Sequence, residues 1–209
     1  MESIPEVAAA VVHVVDDDSD LLQSLVFLFG SVGIEVLTYP DALTFLAEFD
    51  PEEPAVLIVD MRMPGLNGFQ LQEQLAARDY PAPIIFCSAH GDIAMSVRAL
   101  RQGAVDFLEK PYEPQQMLDT VQEHLRTATE LFAEARVRRD VARRLESLTP
   151  RERDVLRLVL AGTPSQLIAR ELGASVKTID VHRARIKAKT EAESLGALVR
   201  DVLHHHLEI

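Results

Sequence analysis

Four short stretches of this chain end in residues that could bind a cation or an anion. Asp16, Asp17 and Asp18 close an apolar run in VVHVVDDDSD, Asp60 closes another in LIVDMRMPG, Ser88 ends PIIFCS, and Lys110 follows DFLE. Adjacent carboxylates about 4 Å apart repel by roughly 4 kcal/mol at an effective dielectric near 20, so the opening triplet calls for a counter-charge. Three carboxylates facing a lysine and a hydroxyl make a site for a hard divalent cation together with an anion. Asp18 or Ser19 can also cap a following helix, but capping cannot account for all three acids.

The elements that must bring these residues together follow from the apolar pattern. Strands are expected at Val11 to Val15, Ile34 to Thr38, Ala55 to Asp60, Pro83 to Ser88 and Ala104 to Leu108. Helical patterns lie between them at Asp20 to Val32, Ala42 to Phe49, Phe69 to Ala77 and Ile93 to Gln102, with another starting near Glu113. Five strands alternating with helices imply an α/β fold, a doubly wound parallel sheet covered on both faces. In such sheets ligands sit beyond the carboxyl ends of the strands, where PGLNG, HGD and KPYEP turn the chain.

From Gln115 to Thr149 the helical pattern runs without Gly or Pro, and its charged part, Glu134 to Arg144, is poor in large apolar residues, as in a linking helix. LTPRERDVL then begins a new unit, with Thr149 as N-cap, Pro150 at the first helical position and Glu152 completing a capping box. Helices follow at Arg151 to Leu160, Pro164 to Leu172, Val176 to Lys189 and Ser194 to Leu203. The middle two are separated only by GAS, which reads as a helix-turn-helix. The resulting domains are 1–125, a linker over 126–146, and a smaller all-α domain over 147–209.

Composition narrows the function. The net charge of −12 divides unevenly: 11 Lys and Arg against 25 Asp and Glu through Glu146, but 10 against 8 after it, so a polyanion would approach only the C-terminal part comfortably. The single cysteine, Cys87, excludes an internal disulfide and follows Ile84, Ile85 and Phe86 as a small core hydrophobe. The adjacent His204, His205 and His206 point about 100° apart on a helix and converge poorly on one metal. No apolar run spans a bilayer and MESIPEVAAAVV lacks a signal peptide's basic flank, so no membrane partner and a cytoplasmic location are expected.

Taken in order, these strand-end residues and the final helices resemble a two-component response regulator of the FixJ/NarL class, with a receiver domain first and a LuxR-type helix-turn-helix last. AHGDIAMSVRALRQGAVDFLEKP is similar to the FixJ branch in particular. The resemblance implies a CheY-like sheet in which Asp60 is the phosphoacceptor for a sensor histidine kinase. It implies Mg²⁺ as cofactor, held by Asp17, Asp60 and the backbone carbonyl of Arg62, with Asp16 acting through water. Lys110 and Ser88 would bond phosphoryl oxygens, and Phe107 would be the switch aromatic that follows the hydroxyl. Lys110-Pro111 resembles the family's cis peptide, and Arg62 and His90 flank the path of an attacking water. Such a chain is no enzyme beyond slow loss of its own phosphate. Phosphorylation would drive homodimerisation, with Val97, Arg98, Arg101 and Asp106 in the interface, and the partners would be double-stranded promoter DNA and RNA polymerase.

Stepping 100° per residue along Val176 to Lys189 places Lys177, Val181, Ala184, Arg185 and Ala188 on one face, flanked by Thr178 and Asp180. Ile179, Ile186 and Thr190 fall opposite, toward a core. Lys177 and Arg185 can donate to guanine or phosphate, Val181 can touch a thymine methyl, and Lys187 and Lys189 are placed to straddle phosphates. Arg183 points inward on this count, so it either snorkels or contradicts the wheel. Ala174, Thr190 and Ala192 give a thin core, which implies a weakly binding monomer helped by pairing. Two other readings remain: a regulator independent of phosphorylation, and a Mg²⁺-dependent phosphatase. The latter usually needs a second acid two residues after the nucleophile, where this chain has Arg62.

Overall fold

A computed structural model describes residues 10–89 and 93–209. His90 and its proposed role lie outside the described residues. The chain divides into two units, one ending at Glu134 and the other beginning at Ala135.

The first unit is a five-stranded, all-parallel sheet: β1 (Val11–Val15), β2 (Val36–Tyr39), β3 (Ala55–Asp60), β4 (Ile84–Ser88) and β5 (Asp106–Glu109), ordered β2-β1-β3-β4-β5. Every residue of the three inner strands is buried, as expected for strands covered on both faces. Alternate side chains sort to opposite faces. Val11, Val15, Leu57, Val59, Ile84 and Phe86 meet α2 (Ala42–Glu48), α3 (Gly68–Ala77) and α4 (Ile93–Arg101). Val12, Val14, Val56, Ile58, Ile85 and Cys87 meet α1 (Ser19–Gly30) and the start of α5 (Pro114–Glu146). β2 lies further along the chain than its apolar run suggests, because Gly33 adopts φ +75 and the turn consumes Ile34 and Glu35.

Local signals set the helix starts. Asp18 accepts from Asp20 N and Leu21 N, Asp41 from Thr44 N, and Asn67 forms a capping box with Gln70. α5 runs unbroken for 33 residues. The segment read as a linker is helical, and a few of its residues are buried in the cores of the two units. Ala128 and Phe132 are buried in the first, and Val141 and Leu145 in the second. Phe132 meets Tyr80 edge to face at 5.3 Å, an anchor that the sparse apolar spacing of α5 did not reveal.

The second unit contains α6 (Pro150–Leu160), α7 (Ser165–Glu171), α8 (Val176–Lys189) and α9 (Leu195–His204) around Leu148, Val155, Leu156, Ile168, Ile179, Ile186, Leu198 and Val202. The capping box of Thr149 and Glu152 forms in both directions. Gly173 takes φ +61 between α7 and α8, the left-handed position that closes the tight turn.

Candidate functional site

The parallel register pairs Val15 with Val59, and the next step along both strands brings Asp16 beside Asp60. Both are buried, at 3% and 7% exposure. Lys110, one residue beyond β5, lies between them with Nζ 2.6 Å from Asp16 Oδ2 and 2.6 Å from Asp60 Oδ1. Asp18 N donates to Asp16 Oδ1 at 3.0 Å, and Arg62 N donates to Asp60 Oδ2 at 2.6 Å. The acid cluster therefore has its counter-charge within the chain.

Burial raises the pKa of Asp16 and outweighs the hydrogen bonds it accepts from Lys110 and Asp18 N–H. Burial alone would lower Lys110, but its bonds to Asp16 and Asp60 outweigh that effect and leave it above its ordinary value. The two carboxylates hold the lysine charged, while burial leaves Asp16 above its ordinary value despite that bond.

Of the three adjacent acids, Asp18 caps α1 and Asp16 grips Lys110, while Asp17 is exposed. Arg62 is exposed and its amide already serves Asp60. Ser88 ends β4 at 2% exposure, with its carbonyl accepting from Lys110 N at 2.9 Å. Phe107 is partly buried, paired in register with Phe86. The Lys110-Pro111 bond is cis, and Cys87 is buried with its thiol pKa pushed up by desolvation. Oxygen donors on Asp16, Asp17, Asp60 and the Arg62 carbonyl suit a hard divalent cation, since Lys110 cancels only one of three carboxylate charges.

Gly68 is a site residue that sequence reasoning passed over as a turn former. A Cβ built there would stand 2.7 Å from the Asp60 carbonyl oxygen and 2.9 Å from Phe86 Cε1, so the absence of a side chain lets α3 start against the end of β3. An Asn-Gly pair seven residues after the strand-end acid, where a helix opens, was the signal the sequence offered.

On α4, Val97, Arg98 and Arg101 are exposed, beside Ile93, Leu100 and Val105, and Asp106 is half-buried at the start of β5. The Arg98 guanidinium lies 4.2 Å over the Phe69 ring of α3.

The α8 wheel holds in most positions. Lys177, Val181, Ala184, Arg185, Lys187 and Ala188 are exposed, while Ile179, Ile186 and Thr190 are buried. Thr178 is exposed, with Oγ1 2.8 Å from the Ser175 hydroxyl that caps the helix. Arg183 snorkels: it is half-buried and Nη1 donates to Ser165 Oγ at 3.3 Å. Lys189, expected at a phosphate, has partners within the chain. Its ammonium lies 2.7 Å from Glu152 Oε2 and donates to the Ser147 carbonyl at 3.2 Å, because a carboxylate only 3% exposed attracts it more strongly than open solvent.

A doubly wound sheet with this acid and lysine cluster, followed by a helix-turn-helix, defines a response regulator with a DNA-binding output domain. The family described as response regulator receiver domain matches residues 12–122, and that described as bacterial regulatory proteins, luxR family, matches residues 146–202. Transcriptional regulatory protein FixJ of Bradyrhizobium diazoefficiens is 40% identical over 189 residues, covering 90% of this chain and 92% of the relative. FixJ of Rhizobium meliloti is 39% identical, with 92% and 94% covered. The solved response regulator StyR is 42% identical with a TM-score of 0.69, over 94% of this chain and 100% of that one. Full-length FixJ from B. japonicum gives 37% and 0.53, over 96% and 98%. The chain belongs to the FixJ-like two-component response regulators, transcription regulators with a receiver and a LuxR-type DNA-binding domain. None of the described helices is long and apolar enough to cross a membrane.

Proposed function

We propose that Asp60 accepts a phosphoryl group from a sensor histidine kinase and that the modified receiver pairs with a second copy to place two α8 helices on promoter DNA. The observation that carries this reading is the fixed Asp60 carboxylate, gripped by Lys110 Nζ on one oxygen and Arg62 N–H on the other at the carboxyl edge of the sheet. An Asp60 oxygen attacks phosphorus as the bond to the kinase histidine nitrogen breaks, leaving an acyl phosphate and a free imidazole. Asp17, Asp60 and the Arg62 carbonyl would hold Mg²⁺, with Asp16 acting through water, and the ion would supply charge neutralisation to phosphoryl oxygens. Lys110 pairs with one phosphoryl oxygen and Ser88 donates to another. Phe107, in register beside Phe86, follows Ser88 inward.

The exposed apolar residues Ile93, Val97, Leu100 and Val105, together with Arg98, Arg101 and Asp106, support α4 and β5 as the homodimer face. On this reading the receiver covers 1–125, the connector 126–146 and the DNA-binding domain 147–209. The site is cytoplasmic, turnover is limited to slow loss of the chain's own phosphate, and RNA polymerase is the final partner. Arg62 in place of a second acid disfavours a phosphatase.

Intact-mass spectrometry after incubation with acetyl phosphate and Mg²⁺ tests the central step. One added phosphate is expected, mapped to Asp60 and absent from Asp60→Asn. A folded chain that gains no phosphate there would defeat the reading.

A further inference from the structure

The C-terminal end of α8 is held by three side chains that the DNA-reading face does not include. Lys189 Nζ sits 2.7 Å from Glu152 Oε2 and 3.2 Å from the Ser147 carbonyl oxygen. The same Glu152 oxygen accepts from Thr149 N at 2.9 Å, so one carboxylate closes the start of α6 and receives the last residue of α8. From the last turn of α5, Arg144 Nη1 donates to the Thr190 carbonyl at 3.4 Å, and Nη2 lies 3.5 Å from Glu191 Oε2. The last carbonyls of a helix lack partners within it and carry partial negative charge, which Arg144 answers at the end of α8. Although burial opposes it, the bonds from Lys189 and Thr149 hold the Glu152 carboxyl below its ordinary range.

Two of the three Lys189 N–H donors are already engaged, by Glu152 and by the Ser147 carbonyl. Moving it to a phosphate would leave a carboxylate that is 3% exposed without its cation. Lys177, Arg185 and Lys187, by contrast, are exposed and form no ion pair among the described residues.

We propose that Arg144, Glu152 and Lys189 are positioning residues for DNA reading: they clamp the C-terminal end of α8 to α6 and to the last turn of α5, and Lys189 is not a phosphate contact. The proposal rests on the reading of α8 as the DNA-reading helix.

The test uses the full chain after incubation with acetyl phosphate and Mg²⁺, a duplex enriched on it from a random-sequence library, and an unselected duplex, with binding followed by fluorescence anisotropy over a range of salt. Removing a phosphate contact reduces the slope of log affinity against log salt by about 0.9 and weakens all sequences alike. Lys187→Gln is expected to behave that way. Lys189→Gln is expected to keep the wild-type slope while lowering the ratio of selected to unselected affinity about fivefold. Glu152→Gln should give the same loss, the double variant should be no worse than the weaker single, and Lys189→Arg should restore most of the ratio. Arg144→Gln, on a side chain outside the α6 cap, should lower the ratio about threefold at unchanged slope, and keeps the test open if a Glu152 variant fails to fold. A slope that falls by about one in Lys189→Gln, or a ratio unchanged in folded Lys189→Gln and Arg144→Gln, overturns the clamp. A wild-type chain that enriches no duplex overturns the DNA reading itself, and the clamp with it.

Discussion

His13 should make the receiver sensitive to mild acid. It lies at the centre of β1 at 1% exposure, paired in register with Leu37 and Leu57. Nδ1 is 3.2 Å from the Tyr39 hydroxyl, the ring meets Phe45 at 5.4 Å, and Nε2 is buried without a hydrogen-bond partner among the described residues. Protonation would add a charge where nothing accepts the second N–H, and burial lowers the pKa from 6.5 to about 4. Because the native value is depressed, the unfolded chain binds the proton first, and stability falls as pH drops through the window from 6.5 to about 4. A shift of this size amounts to about 3 kcal/mol once pH is below both values, and about 2 kcal/mol between pH 7 and pH 5. Native-state hydrogen exchange of the β1 and β3 amides, corrected for intrinsic rates, reads that loss directly. His13→Leu should flatten the same interval by about 2 kcal/mol relative to wild type, whatever its absolute stability. The other histidines are common to both chains and cancel in the comparison. A difference below about 0.5 kcal/mol, or an imidazole whose NMR titration is centred near 6.5 in the folded chain, would refute the reasoning.

Gly68→Ala forces a methyl against the Asp60 carbonyl at 2.7 Å, a backbone atom with little freedom to retreat, and should cost about 1–3 kcal/mol by overpacking. Urea unfolding should show the loss, and phosphate uptake from acetyl phosphate should slow; an unchanged midpoint would mean that α3 moves freely. Glu191 closes α8 at φ +52, a left-handed conformation that glycine adopts without cost. Glu191→Gly should therefore stabilise the helical unit by about 0.5–1 kcal/mol, since the long, exposed Arg144 pair it removes contributes little. A lower midpoint for that unit in thermal unfolding would show that the pair outweighs the strain.

The receiver was legible because its inner strands are buried on both faces and appear as continuous apolar runs, each ending in a residue with chemistry. Asp16, Asp60 and Lys110 could be brought together from strand order alone. What stayed hidden depends on pairings distant in sequence. Nothing near Gln72 signals that its amide donates to the Gln102 carbonyl at 3.1 Å, and nothing near Phe69 signals Arg98 above its ring. His13 was concealed for the opposite reason, since a polar residue flanked by four valines reads as an ordinary strand interior. In α5 the burial of Ala128 and Phe132 was hidden by charged neighbours, because two anchoring side chains are too few to produce a periodic stripe.

The two units also differ in what specifies their geometry. The sheet is positioned by large side chains, among them Phe29, Phe45, Phe86, Leu57 and Ile58, each fully enclosed and each contributing about 1.5–3 kcal/mol by its burial. The helical unit encloses fewer large side chains and no aromatic ring among them: Leu156, Ile168 and Ile179 are fully buried, its core includes Ala169, with Ala174 and Ala192 at its margin, and Thr190 is buried at 2% with its hydroxyl donating to the Ile186 carbonyl. Small domains bury a smaller fraction of their surface, so directional bonds carry more of the work of choosing one arrangement. The capping box, the Glu152 to Lys189 pair and the Arg144 bond to Thr190 all lie where α5, α6 and α8 meet. A helical wheel assigns each cation by its angle about one axis, and Lys187 is exposed as that angle expects. Lys189 pairs with Glu152 where the helix ends, and at a helix end the neighbouring elements, rather than the angle, decide where a long side chain goes.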